Sequence, residues 1–216
     1  MTDNLAQGRT AMVFGTPIAT YEWPDSEALN NELRALILEK EAASDGIARS
    51  NVGGWHSDLD LLKWDHPAAK TFGERIASFA QDLTAVAMAG GEEDSLKLGL
   101  AMTAWANVSR DGHYNSVHDH PEAHWSGVYY VSCSGRDPEI PSNAQLELLD
   151  PRTGVNMRRL RGSVMEGRMV IDPLPGLMVF FPSWLKHHVH PYRGTGERIS
   201  ISYNIQVQMA DTSEQG

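Results

Sequence analysis

The second half of the chain, from about residue 96, breaks into short strand-like runs separated by turn signals. The runs are LKLGLAMTAWANVS, SGVYYVS, QLELLD, MVIDP, GLMVFFPS, HHVHPY and RISISYNIQVQ. Turn residues such as Ser134-Gly135 and Pro175-Gly176 lie between them. Many short strands with turns between them are typical of a β-sandwich or a β-barrel. We therefore predict a β core over residues 96–208, followed by a short tail over residues 209–216.

The first 95 residues carry a helical pattern instead. One helix is predicted after Pro24-Asp25-Ser26 and a second from about Pro67 to Met88, because apolar residues recur there at helical spacing. A short strand is expected over residues 12–18 and a loop over residues 45–57. The chain has 216 residues, of which 41% are hydrophobic, enough to bury one sizeable core. We predict a single domain over residues 1–216, with the helices packed on the β core.

Charge and composition exclude several classes of protein. The net charge is −10, from 18 basic and 28 acidic residues, which disfavours nucleic acid as a partner. No apolar run is long enough to cross a membrane, and the first residues lack the pattern of a signal peptide. The single cysteine, Cys133, cannot form an internal disulfide and fits a cytoplasmic protein. The sequence does not indicate an oligomeric state.

Seven of the nine histidines fall in two clusters. On an extended strand, His118 and His120 would lie on one face and form a ready chelate for a metal such as Zn, Cu, Fe or Ni. His187 is the natural third ligand, because it follows the apolar run GLMVFFPS. Glu122 competes, since His120-Pro121-Glu122 is a His-x-Glu pair. In the run HHVH, the other two histidines would share the face opposite His187.

The run that begins at Arg198 alternates strictly. Arg198, Ser200, Ser202 and Asn204 would lie on one face, and isoleucines and a tyrosine on the other. An ordinary half-buried strand would turn the serine face to water. A barrel could instead turn this face inward, around a small anion that the guanidinium binds bidentately. A buried arginine without a partner is costly, so an inward Arg198 would imply a bound carboxylate.

Taken in order, these motifs resemble those of the Fe(II)- and 2-oxoglutarate-dependent dioxygenases, and most closely a bacterial branch of that class. The segments that carry the resemblance are Trp105-Ala106-Asn107, His118-Asp119-His120-Pro121, Ser126 to Tyr130, Asp150-Pro151-Arg152, Phe181 to Pro191 and Arg198 to Ile205. The resemblance implies a mainly β fold with some α structure. This fold is the double-stranded β-helix, a jelly-roll or cupin-like barrel, flanked here by the N-terminal helices.

The resemblance also implies residue roles. His118 and His187 would bind Fe(II), and Arg198, supported by Ser200, would bind the distal carboxylate of 2-oxoglutarate. Tyr130 resembles the tyrosine that hydrogen-bonds this carboxylate in prolyl-hydroxylase relatives. Asn107 and Asn115 are expected to be polar groups of the pocket. Trp105 and Trp184 are expected to pack in the barrel.

The third iron ligand stays open, because the class usually has His-x-Asp/Glu where this chain has His-x-His. His120 would give a site of three histidines. Alternatively, Glu122 provides the carboxylate together with His120, and His118 lies outside the first shell. A third option is a two-histidine site completed by water.

The implied activity is a dioxygenase reaction that uses O2 and 2-oxoglutarate, hydroxylates an unidentified substrate and releases succinate and CO2. Two alternatives fit the same barrel. One is a cupin-like metal enzyme that does not use 2-oxoglutarate, and the other is a non-catalytic barrel that binds a small acid. Arg198-x-Ser200 favours the 2-oxoglutarate interpretation, because it is suited to a carboxylate.

Overall fold

The structure is a computed structural model that describes residues 15–87, 98–152, 154 and 166–209. In chain order the elements are β1 (Ala19–Glu22), α1 (Ser26–Ala43), β2 (Asn51–Val52), β3 (Trp55–His56), a 3₁₀ turn (Leu61–Lys63), α2 (Pro67–Ala87), β4 (Leu98–Ser109), β5 (Tyr114–His118), β6 (Trp125–Cys133), β7 (Leu146–Leu149), β8 (Arg168–Ile171), β9 (Leu177–Pro182), β10 (His187–Val189) and β11 (Arg198–Met209). The chain is mainly β, as the sequence predicts.

The strands form two antiparallel sheets. The major sheet has the order β1-β9-β6-β11-β4-β3, and the minor sheet has the order β2-β5-β10-β7-β8. β11 lies inside the major sheet and pairs along its whole length with β4, from Arg198 opposite Ser109 to Met209 opposite Leu98. Its other edge pairs with β6. This double pairing fixes the register of β11 and therefore the direction of each of its side chains.

Both helices contribute to one apolar core with the outer face of the major sheet. Leu33 and Ile37 of α1 and Phe72 of α2 are buried in the same cluster as the isoleucine face of β11. The hydroxyl of Tyr129 donates a hydrogen bond to Asn30 Oδ1 of α1, at 2.6 Å. The apolar stripe of α1 and that of α2 as far as Leu83 pack toward this core, whereas Val86, near the end of α2, is 72% exposed.

A second apolar cluster fills the space between the two sheets. It combines Val128 and Tyr130 of β6 with Leu146 and Leu148 of β7, and Phe181 of β9 joins them. The alternation along a strand explains the division, because Tyr129 packs toward the helices and Tyr130 toward the opposite sheet. The interior of the barrel is apolar here and becomes polar toward one end.

The segment 45–57 differs from the predicted loop. It contains β2 and β3, joined by Gly53-Gly54, and β2 pairs with β5 of the minor sheet while β3 pairs with β4 of the major sheet. Both glycines have φ of +64°, a conformation that side chains rarely adopt, and a Cβ on Gly53 would lie 2.4 Å from the ring of His113. This crossing brings residues 49–59 to the open end of the barrel.

Other boundaries shift slightly. The strand expected over residues 12–18 falls partly outside the described residues, and the first strand observed is β1. The last described residue of the second helix is Ala87, and Met88, its predicted end, lies outside the described residues. In the part of the chain that the structure describes, neither helix combines the length and the apolar character needed to cross a membrane.

Candidate metal centre and co-substrate pocket

A cavity of about 510 Å³ opens between the two sheets at the polar end of the barrel. Its wall comes from three parts of the chain: the ends of β5 and β10, the polar face of β11, and the segment that crosses between the sheets. The lining residues used below are Arg49, Ser50, His56, Leu59, Trp105, Asn107, Asn115, His118, His120, Glu122, Val128, Leu146, Phe181, His187, Arg198, Ser200, Ser202 and Asn204.

Three histidines meet in this cavity. His118 ends β5 and is paired with His187, the first residue of β10. The ring centroids of these two are 4.2 Å apart, and the ring of His120 lies 5.0 Å from that of His118 and 5.3 Å from that of His187. One nitrogen from each ring lies within 4.8 Å of the other two. We call this set the inner triad.

His120 reaches the inner triad by a route other than the predicted one. The sequence suggests that His118 and His120 share one face of a strand, but β5 ends at His118 and His120 lies in the following turn. Pro121 has no N–H and disfavours a continuing ladder, which accounts for the end of the strand. The backbone N–H of His120 donates to the Ser183 carbonyl at 2.8 Å, and this bond holds the turn against the loop before β10.

Backbone carbonyls orient two of the three rings. His118 Nδ1 lies 2.7 Å from the Ser116 carbonyl, and His187 Nδ1 lies 2.8 Å from the Leu185 carbonyl. A carbonyl only accepts, so each Nδ1 carries the proton and each Nε2 keeps its lone pair. Such outer contacts are typical of metal-binding histidines, because they fix the tautomer and the direction of the ring.

The environment keeps the inner triad uncharged near neutral pH. Burial lowers the pKa of His118. Burial, assisted by the neighbouring His118, lowers the pKa of His120 to about 4 and that of His187 to about 3. Neutral imidazoles are the form that binds metal, and three of them suit a divalent ion such as iron(II). The inner triad therefore fits the implied metal.

Arg198 brings a buried positive charge into the same cavity as the neutral inner triad. Only 2% of its surface is exposed, and its Nη1 donates to Ser200 Oγ at 3.0 Å. Within the described residues, Arg198 Nε has no hydrogen-bond partner, and the same holds for the hydroxyl of Tyr130. The guanidinium lies 5.1 Å from the centroid of the Tyr130 ring. The guanidinium therefore has a free donor of its own, and the neighbouring phenol offers a second. A buried cation with two such donors fits a carboxylate ligand.

From Arg198 to Ile205 both faces of β11 are buried or half-buried, contrary to the ordinary pattern of an amphipathic strand. Its isoleucines pack under the helices, and Arg198, Ser200, Ser202 and Asn204 all line the cavity. Asn107 donates to Ser202 Oγ at 3.1 Å, and Ser126 donates to Asn204 Oδ1 at 2.7 Å. The inward orientation that the sequence offers as an alternative is the one found.

The other predicted residues divide into cavity and surface positions. Asn107 and Asn115 line the cavity, and Asn115 donates to Ser50 Oγ at 3.2 Å. Glu122 is exposed at the cavity mouth, and no carboxylate joins the inner triad among the described residues. Trp105 is buried as expected. The prediction for Trp184 is wrong: half of its surface is exposed, because it lies in the turn between β9 and β10.

His56 is a cavity residue that the sequence did not single out. It is 3% exposed, its Nδ1 lies 2.6 Å from the Ser57 carbonyl, and its ring stacks on Trp105 at 5.6 Å. Trp105 in turn lies 5.7 Å from the ring of His120. The only local signal was its position just after Gly53-Gly54. The pairing of β3 with β4 brings it to the cavity, and that contact is not visible in the sequence.

Comparison with known proteins agrees with this geometry. Residues 103–204 match a family model described as "Putative 2OG-Fe(II) oxygenase". This range contains all three histidines of the inner triad, Tyr130, Arg198 and Ser200. None of the curated proteins compared by sequence matches the chain.

Solved structures share the fold. A prolyl-4-hydroxylase from Pseudomonas putida has a TM-score of 0.62 at 17% identity and covers 94% of this chain and 95% of its own. The epimerase SnoN from nogalamycin biosynthesis, described as α-ketoglutarate-dependent, has a TM-score of 0.62 at 11% identity, covering 92% and 82%. HygX from Streptomyces hygroscopicus, solved with nickel and 2-oxoglutarate, has a TM-score of 0.55 at 12% identity, covering 88% and 83%.

These matches confirm the predicted double-stranded β-helix. Over residues 103–204 the chain is similar to 2OG-Fe(II) oxygenases, and this range contains the inner triad and Arg198. The remaining part of the cavity wall, Arg49, Ser50, His56 and Leu59, lies outside the matched range. The relatives include hydroxylases, an epimerase and a carbocyclase, so the class covers several reaction outcomes.

Proposed function

We propose that this chain is a hydroxylase whose inner triad holds iron(II) and whose Arg198 holds the distal carboxylate of 2-oxoglutarate. The observation that carries the proposal is the buried guanidinium of Arg198, whose Nε has no partner in the described part of the chain, in the same cavity as three neutral imidazoles. A cavity for metal alone would have no need of a buried cation. The cost of burying Arg198 is offset only when an anion is bound.

In this proposal each residue around Arg198 has a distinct task. Arg198 neutralises and orients the carboxylate, and Ser200 holds the guanidinium in place through its 3.0 Å hydrogen bond. Tyr130 donates its hydroxyl proton to the same carboxylate. Burial raises the pKa of Tyr130, while the charge of Arg198 opposes that effect, so the phenol stays protonated as a donor at neutral pH.

The three imidazoles of the inner triad hold the metal and present it to the cavity. With iron(II) and 2-oxoglutarate bound, O2 would be the oxidant: one of its oxygen atoms would enter a C–H bond of the substrate as a hydroxyl group, and the other would enter succinate as 2-oxoglutarate loses CO2. The chain excludes water from this region with apolar side chains, among them Phe181, Leu146 and Val128. Exclusion of water strengthens the charge interactions at Arg198 and limits side reactions.

We assign the third ligand to His120 rather than Glu122. The support is the grouping of the three ring nitrogens within 4.8 Å and the exposure of Glu122 at the cavity mouth. Three neutral ligands would leave the charge of the metal unbalanced by the protein, so the keto-acid carboxylate of 2-oxoglutarate would offset part of it. The binding of metal and of 2-oxoglutarate should therefore be strongly coupled.

The substrate is proposed to enter between the segment 49–59 and the turn that follows β5. Arg49, Ser50, His56 and Leu59 line that side of the cavity. The ring of His56 carries its proton on Nδ1, toward the Ser57 carbonyl, so its Nε2 is a hydrogen-bond acceptor. A substrate group with an N–H or O–H donor would suit this position.

The test is an anaerobic titration of metal-free protein with Fe(II), with and without 2-oxoglutarate, followed in the visible spectrum. A charge-transfer band that needs both components is expected, since the keto acid would chelate iron in the cavity. Glutarate, which keeps both carboxylates and lacks the keto group, is the matched control and should give no band. Bound iron without a band in the presence of 2-oxoglutarate would overturn the proposal in favour of a metal enzyme that does not use this co-substrate.

A further inference from the structure

A second group of potential ligands lies on the other side of the strand that carries His187. His188 points to the opposite face of β10, and it is paired in register with Glu147 of β7. His190 follows the strand and stays beside the segment that leads into β7, because its backbone N–H donates to the Gln145 carbonyl at 2.9 Å. We call Glu147, His188 and His190 the outer triad.

The donor atoms of the outer triad are close enough for one ion. Glu147 Oε2 lies 2.9 Å from His190 Nε2 and 3.9 Å from His188 Nε2, and the two rings are 4.7 Å apart. One donor atom from each residue lies within 4.8 Å of the other two. None of the three lines the cavity, whereas their neighbours Leu146, His187 and Val189 do. The outer triad is therefore separate from the inner one.

We propose that the outer triad is a second metal site, which binds a divalent transition cation such as zinc on the outer face of the minor sheet. Two imidazoles and one carboxylate are a ligand set that zinc commonly takes, with water in the fourth position. The inference comes from these residues alone and does not depend on the proposed hydroxylase function.

Exposure and support favour a site that an ion can reach. The side chains of His188 and His190 are 23% and 25% exposed, whereas that of Glu147 is only 8% exposed. The Glu147 carboxylate is thus the buried member of the outer triad, and the two rings are partly exposed to solvent. Glu147 and His188 are placed by strand pairing, and the backbone hydrogen bond to the Gln145 carbonyl holds His190 just after the strand, so little ordering remains to be done when a cation binds.

Arg168 is the feature that opposes the site. Its Nη1 lies 3.1 Å from Glu147 Oε2, the same oxygen that faces both rings. A bound cation would have to displace or share this contact, so Arg168 should weaken metal binding. Replacing Arg168 should therefore tighten metal binding, because it removes the competing positive charge, whereas replacing a ligand should weaken it.

The experiment is a zinc titration of the full metal-free chain by calorimetry and equilibrium dialysis. Wild type should bind two equivalents. A variant with His118→Ala and His120→Ala should bind one, and so should a variant with His188→Ala and His190→Ala, while the combined variant should bind none. Glu147→Gln, which keeps shape and removes charge, should weaken the outer site by roughly 100-fold, more than outer-shell changes alone usually do.

The matched control for a surface histidine is His66→Asn. His66 precedes α2, and its Nδ1 accepts a hydrogen bond from the Ala68 N–H at 3.1 Å, a capping contact that asparagine can also make. This variant should keep two equivalents. Arg168→Gln should tighten the outer site by roughly 2- to 5-fold, a modest effect because Arg168 is partly exposed. Circular dichroism and the melting temperature verify that each variant is folded.

The outcomes separate the two sites. A second equivalent that survives in the folded variant with His188→Ala and His190→Ala would overturn the outer site, as would a wild type that binds one equivalent and loses it with His118→Ala and His120→Ala. One equivalent that survives loss of the inner triad, and whose affinity falls with Glu147→Gln, would support the outer site.

Discussion

The two faces of β10 carry two triads that differ in chemistry and surroundings. The inner triad has three nitrogen donors, is neutral and shares a cavity with the buried cation Arg198. The outer triad has two nitrogen donors and a carboxylate, and its nearest cation, Arg168, contacts the carboxylate itself. A single strand presents both, because successive side chains point to opposite faces.

The comparison of the two triads shows that the identity of the ligands alone does not locate an oxygenase centre. Two histidines and one carboxylate are the usual set of non-haem iron oxygenases, and by composition the outer triad matches it better. The inner triad shares its cavity with the Arg198 guanidinium, which has no carboxylate partner among the described residues, and with an apolar wall. We therefore locate the chemistry by the co-substrate pocket, and treat the outer triad as a site for metal without 2-oxoglutarate.

The largest effect is expected when adjacent histidines of β10 are replaced one at a time. His187→Ala should abolish Fe(II) binding in the cavity, because it removes the most buried donor of the inner triad. His188→Ala, one position away, should keep the iron in the cavity. The visible band that Fe(II) gives with 2-oxoglutarate measures both, because metal at the outer triad would not produce it. A band of wild-type strength in His187→Ala would remove that residue from the proposed centre.

The next test compares the two arginines. Arg198→Gln should lower 2-oxoglutarate affinity by about 2–5 kcal/mol, roughly 30-fold or more, because a buried charge-assisted contact is lost. Metal binding should persist. Arg168→Gln, on the outer face, should leave 2-oxoglutarate affinity unchanged. Equal affinities in wild type and Arg198→Gln, measured by calorimetry with Mn(II) in place of iron, would contradict the role of Arg198.

A smaller effect is expected at Tyr130. Tyr130→Phe should weaken 2-oxoglutarate binding by about 1–2 kcal/mol, the usual size of one hydrogen bond to a charged group. Without 2-oxoglutarate the same change should leave the free energy of unfolding equal or slightly higher, since the hydroxyl is buried with no partner among the described residues. Chemical denaturation with and without the ligand measures both. A clear loss of stability without ligand would indicate a structural partner for the hydroxyl.

The smallest expected change is at Glu147. Glu147→Gln should reduce the free energy of unfolding by about 1 kcal/mol or less, because the ion pair with Arg168 is partly exposed and screened. Fe(II) binding in the cavity should be unchanged. A fall in iron affinity in this variant would show that the two faces of β10 are coupled rather than independent.

Much of the fold could be predicted because its signals are local. The spacing of residues in the sequence predicts the alternation of β11 and the apolar stripes of both helices. The clustering of histidines indicated His118 and His187, and it left the third ligand open among His120, Glu122 and water. His120 reaches the other two rings from the segment after β5, where Pro121 disfavours a continuing strand. The inward direction of Arg198 was one of two options, and only the pairing of β11 with both neighbours decides between them.

The rest depends on contacts between distant segments. Glu147 joins the outer triad because β7 pairs with β10 in one register, and nothing near Glu147 in the sequence indicates a ligand. His56 reaches the cavity because β3 joins the edge of the major sheet beside β4. A one-residue slip in either pairing would turn the side chain to the other face, so such positions follow from tertiary structure alone.

The most direct test of the central claim is a crystal structure of the anaerobic complex with Mn(II) and 2-oxoglutarate, with the metal located by anomalous scattering. The account predicts a metal bound by His118, His120 and His187, with the distal carboxylate of 2-oxoglutarate on Arg198 and Tyr130. A cavity metal bound by the Glu122 carboxylate in place of His120 or His118, or 2-oxoglutarate bound away from Arg198, would contradict it.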